Sequence, residues 1–224
     1  MLSLAVFLGN PGVKYARNRH NAGLILAEKL PFYNDLSWKK KFNGRFAQSP
    51  VKPDDSALSE GSQKKFLIPE TYMNLSGTSV QKCCIMYTIP PEKIIVVHDE
   101  LELPLGFLSL KFGGGLGGHN GLRSVKQALC TADFWRLRIG IGRPSGRKPG
   151  EGGAPVKSAQ EGGPGDIADW VLSDFNLSER PLLNQVLETG AGLLTLTLTE
   201  DPETLLPEWK KKSVSFMPEN EENE

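Results

Sequence analysis

The sequence predicts an α/β layered domain, and three observations carry that prediction. Short apolar runs rich in Val, Ile and Phe recur along the chain, segments of helical character separate them, and 224 residues fit one core. In order, the strand candidates are LSLAVFL at the amino terminus, KKFLI, EKIIVVHD, FLSLKF and FWRLRIGIG. Their length and β-branched content suit buried strands. The helix candidates are NAGLILAEKL, NLSGTSVQKCCIMY, NGLRSVKQAL and SERPLLNQVLETGAGLL. In the last of these Ser178 is the expected N-cap, with Glu179 and Pro181 in the first turn. Asn120 is a reasonable N-cap for NGLRSVKQAL.

Two stretches read as loops. Residues 50–63 interrupt the sheet pattern with Pro, Asp and Ser, and residues 144–165 are dominated by Gly, Pro and charge. Such composition buries too little apolar area to offset ordering entropy, so mobility is expected at 144–165. The domain is expected over residues 1–212, followed by an acidic, disordered tail at 213–224.

Composition excludes several classes. Three cysteines, two of them adjacent at Cys83 and Cys84, give neither a disulfide framework nor a metal-ligand spacing. The first apolar run has no basic flank and no cleavage pattern, and it is too short to span a bilayer. A cytoplasmic protein without a membrane partner is therefore expected. Formal net charge is zero, yet the last eight residues hold four glutamates and no cation. Without them the body is moderately basic, which is compatible with nucleic acid and equally with solvated surface.

The polar clusters carry the chemistry. GNPGVKYARNRHNAG follows the first strand with Asn10 in a tight turn and His20 before a helix. The strand EKIIVVHD ends in His98 and Asp99, where a carboxylate is expensive unless paired or solvated. Neighbouring strand side chains face opposite sides, so Asp99 is expected to orient a distant imidazole, His20 or His119. FGGGLGGHNG contains G-x-G-x-x-G at Gly113, Gly115 and Gly118, but no acidic residue ends a following strand at the distance a dinucleotide site requires. Its glycines are expected to let the loop lie close to a substrate and to present His119 and Asn120. No G-x-S-x-G, HExxH or CxxC is present. A histidine base, a carboxylate partner and amide donors remain, a set that suits attack of water on an activated acyl group.

Four ordered blocks, FLGNPGVKYARNRHNAG, FLIPETYMNLSG, VVHDELELPLGFLSLKFGGGLGGHNGLRS and FWRLRIGIGRP, resemble the signature blocks of bacterial-type peptidyl-tRNA hydrolase. The resemblance covers roughly residues 4 to 143, with an echo at WVLSDF. It implies a single three-layer α/β domain, a mixed twisted sheet flanked by helices, usually monomeric. The implied reaction is hydrolysis of the ester joining a peptide to the 3′ ribose of tRNA, with no cofactor and no metal. Carried over residue by residue, it implies His20 as general base and Asp99 as its orienting partner. Asn10 and Asn74 match substrate-positioning amides, Tyr15 and Met73 line the peptide groove, and His119 and Asn120 line the site. Lys111 and Arg138 match basic positions on the tRNA side. Asn18 stands where the family more often has threonine, and the insertion after Arg143 is longer than the resemblance leads one to expect. A related plant splicing factor keeps this architecture while binding RNA, which is the rival function. The glycine pattern leaves a nucleotide-binding oxidoreductase as a third.

Overall fold

The computed structural model describes residues 1–49, 63–144 and 166–214. The expected loops therefore lie almost wholly outside the described residues, as do residues 215–224 of the expected tail. Eight strands form one mixed sheet. They are β1 (Leu4–Phe7), β2 (Lys39–Lys41), β3 (Gly44–Gln48), β4 (Lys65–Pro69), β5 (Ile94–Glu100), β6 (Phe107–Phe112), β7 (Trp135–Gly140) and β8 (Lys212–Ser213). Their order is β2-β3-β4-β1-β5-β7-β6-β8. The four inner strands β4, β1, β5 and β7 run parallel, and the outer ones pair antiparallel. All five strands expected from the sequence are present.

Alternation along the inner strands builds two cores. Ala5, Phe7, Ile95 and Val97 face one side, which is covered by α1 (Ala22–Ala27) and α5 (Arg180–Thr199). Leu4, Val6, Ile94 and Val96 face the other, covered by α2 (Ser76–Tyr87) and α3 (Asn120–Leu129). The result is three layers. α5 earns its place by pattern: Leu183, Val186, Leu187, Gly190, Ala191, Leu194 and Leu198 recur at helical spacing and are buried. Two short helices, α4 (Ile167–Val171) and α6 (Pro202–Trp209), are the remaining α-helices among the described residues. Among the described residues no helix is long and apolar enough to cross a membrane.

Several elements differ from expectation, each for a physical reason. Lys39–Lys41 reads as a basic run, yet it pairs with β3 at the sheet edge, where lysines discourage further pairing. The connecting turn places Phe42 and Asn43 at φ 57° and 55°. Phe42 is compensated there by edge-on packing against Phe46, 5.2 Å between centroids. α5 is entered through Asn176, not Ser178. The Asn176 side chain accepts from the Glu179 amide at 2.9 Å, and Glu179 Oε2 accepts from the Asn176 amide at 2.8 Å, a reciprocal box. α1 stops at Ala27, after which Lys29 and Leu30 make tighter i→i+3 turns. The sheet reaches past residue 212: Ser213 pairs with Phe107, and the Val214 amide donates to Gly106 O at 2.7 Å.

Two local features generate tests. α1 begins directly on the sheet, because a Cβ at Gly23 would lie 2.4 Å from the Val97 carbonyl oxygen and 2.9 Å from that of Leu8. Gly23→Ala is expected to cost about 3 kcal/mol in urea unfolding; a loss below about 0.5 kcal/mol would show that the helix lifts freely. On the opposite face His98 is fully buried, and burial followed by the neighbouring His119 pushes its imidazole well below the ordinary value of 6.5. The folded state thus holds His98 neutral while the unfolded chain takes up a proton below pH 6.5. Stability from this group is present above that pH and is lost as pH falls, by up to about 1.4 kcal/mol per unit. His98→Gln is expected to flatten the decline in urea midpoint between pH 7 and 5; an unchanged slope would contradict it.

Candidate active site

The site lies at the carboxyl ends of β1, β4 and β5, where a parallel sheet opens a crevice. β5 delivers Asp99, which is buried, on the α1 side. The 3₁₀ turn Arg19–Asn21 delivers His20, and the glycine loop after β6 delivers His119. His20 Nδ1 and His119 Nε2 both lie 2.9 Å from the same carboxylate oxygen, Asp99 Oδ1. Sequence reasoning left His20 and His119 as alternatives for Asp99; the carboxylate takes both. Burial works to raise the Asp99 carboxyl, but the attraction of His119 and then His20, with their hydrogen bonds, outweighs it and holds the group well below the usual carboxylate range.

The tautomers follow from the partners. His119, not Asn120, is the N-cap of α3: its Nδ1 accepts from the Gly121 and Leu122 amides at 3.1 and 3.3 Å. A ring nitrogen that accepts two N–H groups carries no proton, so the proton sits on Nε2 and is donated to Asp99. His20 in turn donates from Nδ1 to the carboxylate and keeps the lone pair of Nε2. His98 packs edge-on against His119, 5.0 Å between centroids, and donates from Nδ1 to the Asp99 carbonyl at 2.7 Å.

Beside His20 runs a cleft of about 530 Å³. Asn10, Tyr15, Met73, Asn74 and Asn120 line it together with His20, and Ala168, Val171 and Leu172 form its far wall. A smaller hollow of about 150 Å³ holds Asp99, Glu100 and His119, and His20 and Asn120 line both. The Asn10 amide is fixed without ambiguity, because its Oδ1 accepts from the Met73 amide at 2.9 Å and its NH₂ is left to donate. The Asn10 backbone is clasped by Asn21, whose side chain accepts from Asn10 N at 2.8 Å and donates to Asn10 O at 3.0 Å. Asn21 was missed from sequence. Its position directly after His20 was visible, but its partnership across the turn was not.

The two basic candidates lie apart from this cluster. Lys111, Arg136 and Arg138 share one face of the β6–β7 pair, Lys111 opposite Arg136 and Ser109 opposite Arg138 in register. Arg138 is already engaged, by Glu100 Oε2 at 2.9 Å and Ser109 Oγ at 3.2 Å. Burial, then Arg136 and Arg138, lower the Lys111 ammonium from its ordinary value. Arg136 is buried and donates to the carbonyls of Gly113 and Gly115, holding down the glycine loop, in which Gly113, Gly114, Gly117 and Gly118 all have positive φ. The loop turns carbonyls toward a guanidinium, and β6 pairs antiparallel to β7. A dinucleotide fingerprint needs amides toward phosphate and a parallel crossover, so this geometry does not make one.

As metal ligands, His20, Asp99 and His119 offer atoms within 4.8 Å of one another, the group among the described residues that converges enough for a cation. Binding one between the rings would replace both hydrogen bonds to Oδ1, and the second nitrogen of His119 is committed to the helix cap.

Comparison with known proteins places the chain among its relatives. The family model described as Peptidyl-tRNA hydrolase covers residues 4–216. A peptidyl-tRNA hydrolase of Treponema pallidum (strain Nichols) is 42% identical over 215 residues, 94% of this chain and 96% of the relative. One of Histophilus somni (strain 2336) is 45% identical over 202 residues, covering 89% and 91%. The solved structure of peptidyl-tRNA hydrolase from Acinetobacter baumannii superposes with a TM-score of 0.74 at 33% identity, over 93% of this chain and 94% of that one. With matches of this extent over a site of this geometry, the chain belongs to the peptidyl-tRNA hydrolase family of enzymes.

Proposed function

We propose that this chain cleaves the ester between a peptide and the 3′ ribose of tRNA by direct attack of water. His20 acts as general base and Asp99 orients it. The observation that carries the reading is the 2.9 Å contact of His20 Nδ1 with a buried carboxylate at the edge of an amide-lined cleft. Nδ1–H held by Asp99 leaves Nε2 to take a proton from water, and the carboxylate stabilises the imidazolium that forms. The NH₂ of Asn10, which has no partner among the described residues, supplies donors for the acyl oxygen and the peptide backbone with the amides of Asn74 and Asn120 at the same cleft. Met73 and Tyr15 give the cleft apolar surface for a peptide. His119 holds the carboxylate from the other side as a fixed donor. The ribose hydroxyl leaves far more readily than an amide nitrogen would, so no stronger electrophile is required.

The tRNA is read as lying over the β6–β7 face. Lys111 supplies the phosphate contact, and Arg138, tied to Glu100, sets the platform beneath it. The protein is read as acting as a monomer, without a membrane partner.

His20→Ala is expected to lower kcat for release of N-acetyl-aminoacyl groups from tRNA by at least about 100-fold while the protein stays folded. Turnover near wild type would remove His20 from the reaction. Asp99→Asn is expected to cost about 10²-fold or more in kcat, since an amide cannot stabilise the imidazolium. Lys111→Ala is expected to weaken tRNA binding and to reduce the slope of log K against log salt by about one phosphate contact; an unchanged slope would place the phosphate elsewhere. Retained tRNA binding by wild-type protein that releases nothing would favour the RNA-binding rival.

A further inference from the structure

The side chain next to the base points away from it. Arg19 is 2% exposed, with its guanidinium 3.9 Å from the Trp170 ring centroid and 4.7 Å from that of Phe175. Nη2 contacts Glu179 Oε2 at 2.7 Å, and Nε donates to Ser173 Oγ at 3.3 Å. The backbone joins in: the Arg19 amide donates to Ser173 O at 2.9 Å and Asn18 forms a bridge with Asp174, while the Asn18 side-chain Nδ2 donates to Leu172 O. All of these partners lie between Trp170 and Glu179. The same stretch, with α4, places Ala168, Val171 and Leu172 in the far wall of the cleft.

A buried cation needs a carboxylate, and Glu179 supplies it. A stacked one also needs a flat, weakly hydrated head, which guanidinium has and ammonium lacks. Consecutive residues of a 3₁₀ turn project about 120° apart, so Arg19 faces the wall while His20 faces Asp99.

We propose that Arg19 is a positioning residue that latches the α4 wall onto the segment bearing His20, setting the width of the peptide cleft. The proposal rests on the reading of that cleft as the peptide site. Arg19 touches no reacting group, so its loss falls on substrate binding and leaves the chemical step intact.

The test compares Arg19→Lys, Trp170→Leu and Trp170→Phe with wild type in two measurements. Without substrate, amide hydrogen exchange is followed across residues 168–173 and across β5. With N-acetyl-dipeptidyl-tRNA, kcat and KM are measured separately. Arg19→Lys and Trp170→Leu are expected to speed exchange in 168–173 about tenfold with β5 unchanged, to raise KM about tenfold, and to leave kcat within about twofold. Trp170→Phe keeps a ring under the guanidinium and is expected to fall closer to wild type. A drop in kcat at constant KM would overturn the proposal by making Arg19 a partner of the base. Faster exchange at constant KM would show that the latch does not serve the site, and exchange raised equally in β5 would make Arg19 a general stabiliser. If wild type released no peptide, the hydrolase reading would fail by itself. Exchange, with affinity for the uncleaved substrate in place of KM, would still decide the latch.

Discussion

A single buried carboxylate, Asp99, sets the terms for the rest of the active site. Removing it from water is costly, and two N–H donors at 2.9 Å on one oxygen offset that cost. Each donor then imposes its own requirement on the chain. His20 reaches Oδ1 only because the segment leading into α1 lies almost against the carbonyls of Leu8 and Val97, the close approach that Gly23 permits. His119 reaches it only because its other nitrogen is satisfied by the first amides of α3. One imidazole is thereby locked through both ring nitrogens, as acceptor at the cap and donor at the clamp. The other is left with the lone pair of Nε2, and that difference between two similar contacts is what fits His20 to the proposed role of base.

The alternation of β5 divides the labour around this charge. Asp99 turns toward His20, while His98 and Glu100 belong to the opposite side of the strand, against His119 and Arg138 respectively. Three consecutive residues thus connect His20, the cap of α3 and the basic face of β6 and β7. Arg136 extends the same row by pinning the glycine loop, so the loop that carries His119 is anchored to the face on which Lys111 stands. A shift of β7 relative to β5 would disturb the carboxylate's surroundings and the basic platform together.

Much of this was legible in the sequence, for identifiable reasons. Fully buried strands such as Ile94–Val97 announce themselves by continuous β-branched composition, and the strand end at Asp99 by a carboxylate that needs a partner. The residues of the site were visible as polar types in turns after strands. What was hidden depended on pairing across long separations. Lys39–Lys41 has no strand composition and becomes one only through β3. Ser178 was the N-cap expected from the sequence, but Asn176 and Glu179 satisfy each other, which no single-residue preference reveals. Asn120 lost the cap of α3 to His119 because an imidazole can cap a helix when its other nitrogen has an acceptor, and that acceptor is 20 residues away.

The same logic separates fixed groups from free ones in the cleft. Asn10 is held on both sides of its backbone by Asn21 and through Oδ1 by the Met73 amide, so its NH₂ projects with little freedom. Asn74 and Asn120 are exposed at the entrances of their helices, with no hydrogen bond to their side chains among the described residues. A donor meant for a developing negative charge gains most from being fixed beforehand, whereas donors for a variable peptide backbone gain from being able to adjust. On that ground Asn10 is the best placed of the three for the acyl oxygen of the proposed reaction. Asn74 and Asn120 are better suited to follow a peptide, so under the proposed reading rigidity in the cleft falls from the ester toward the peptide.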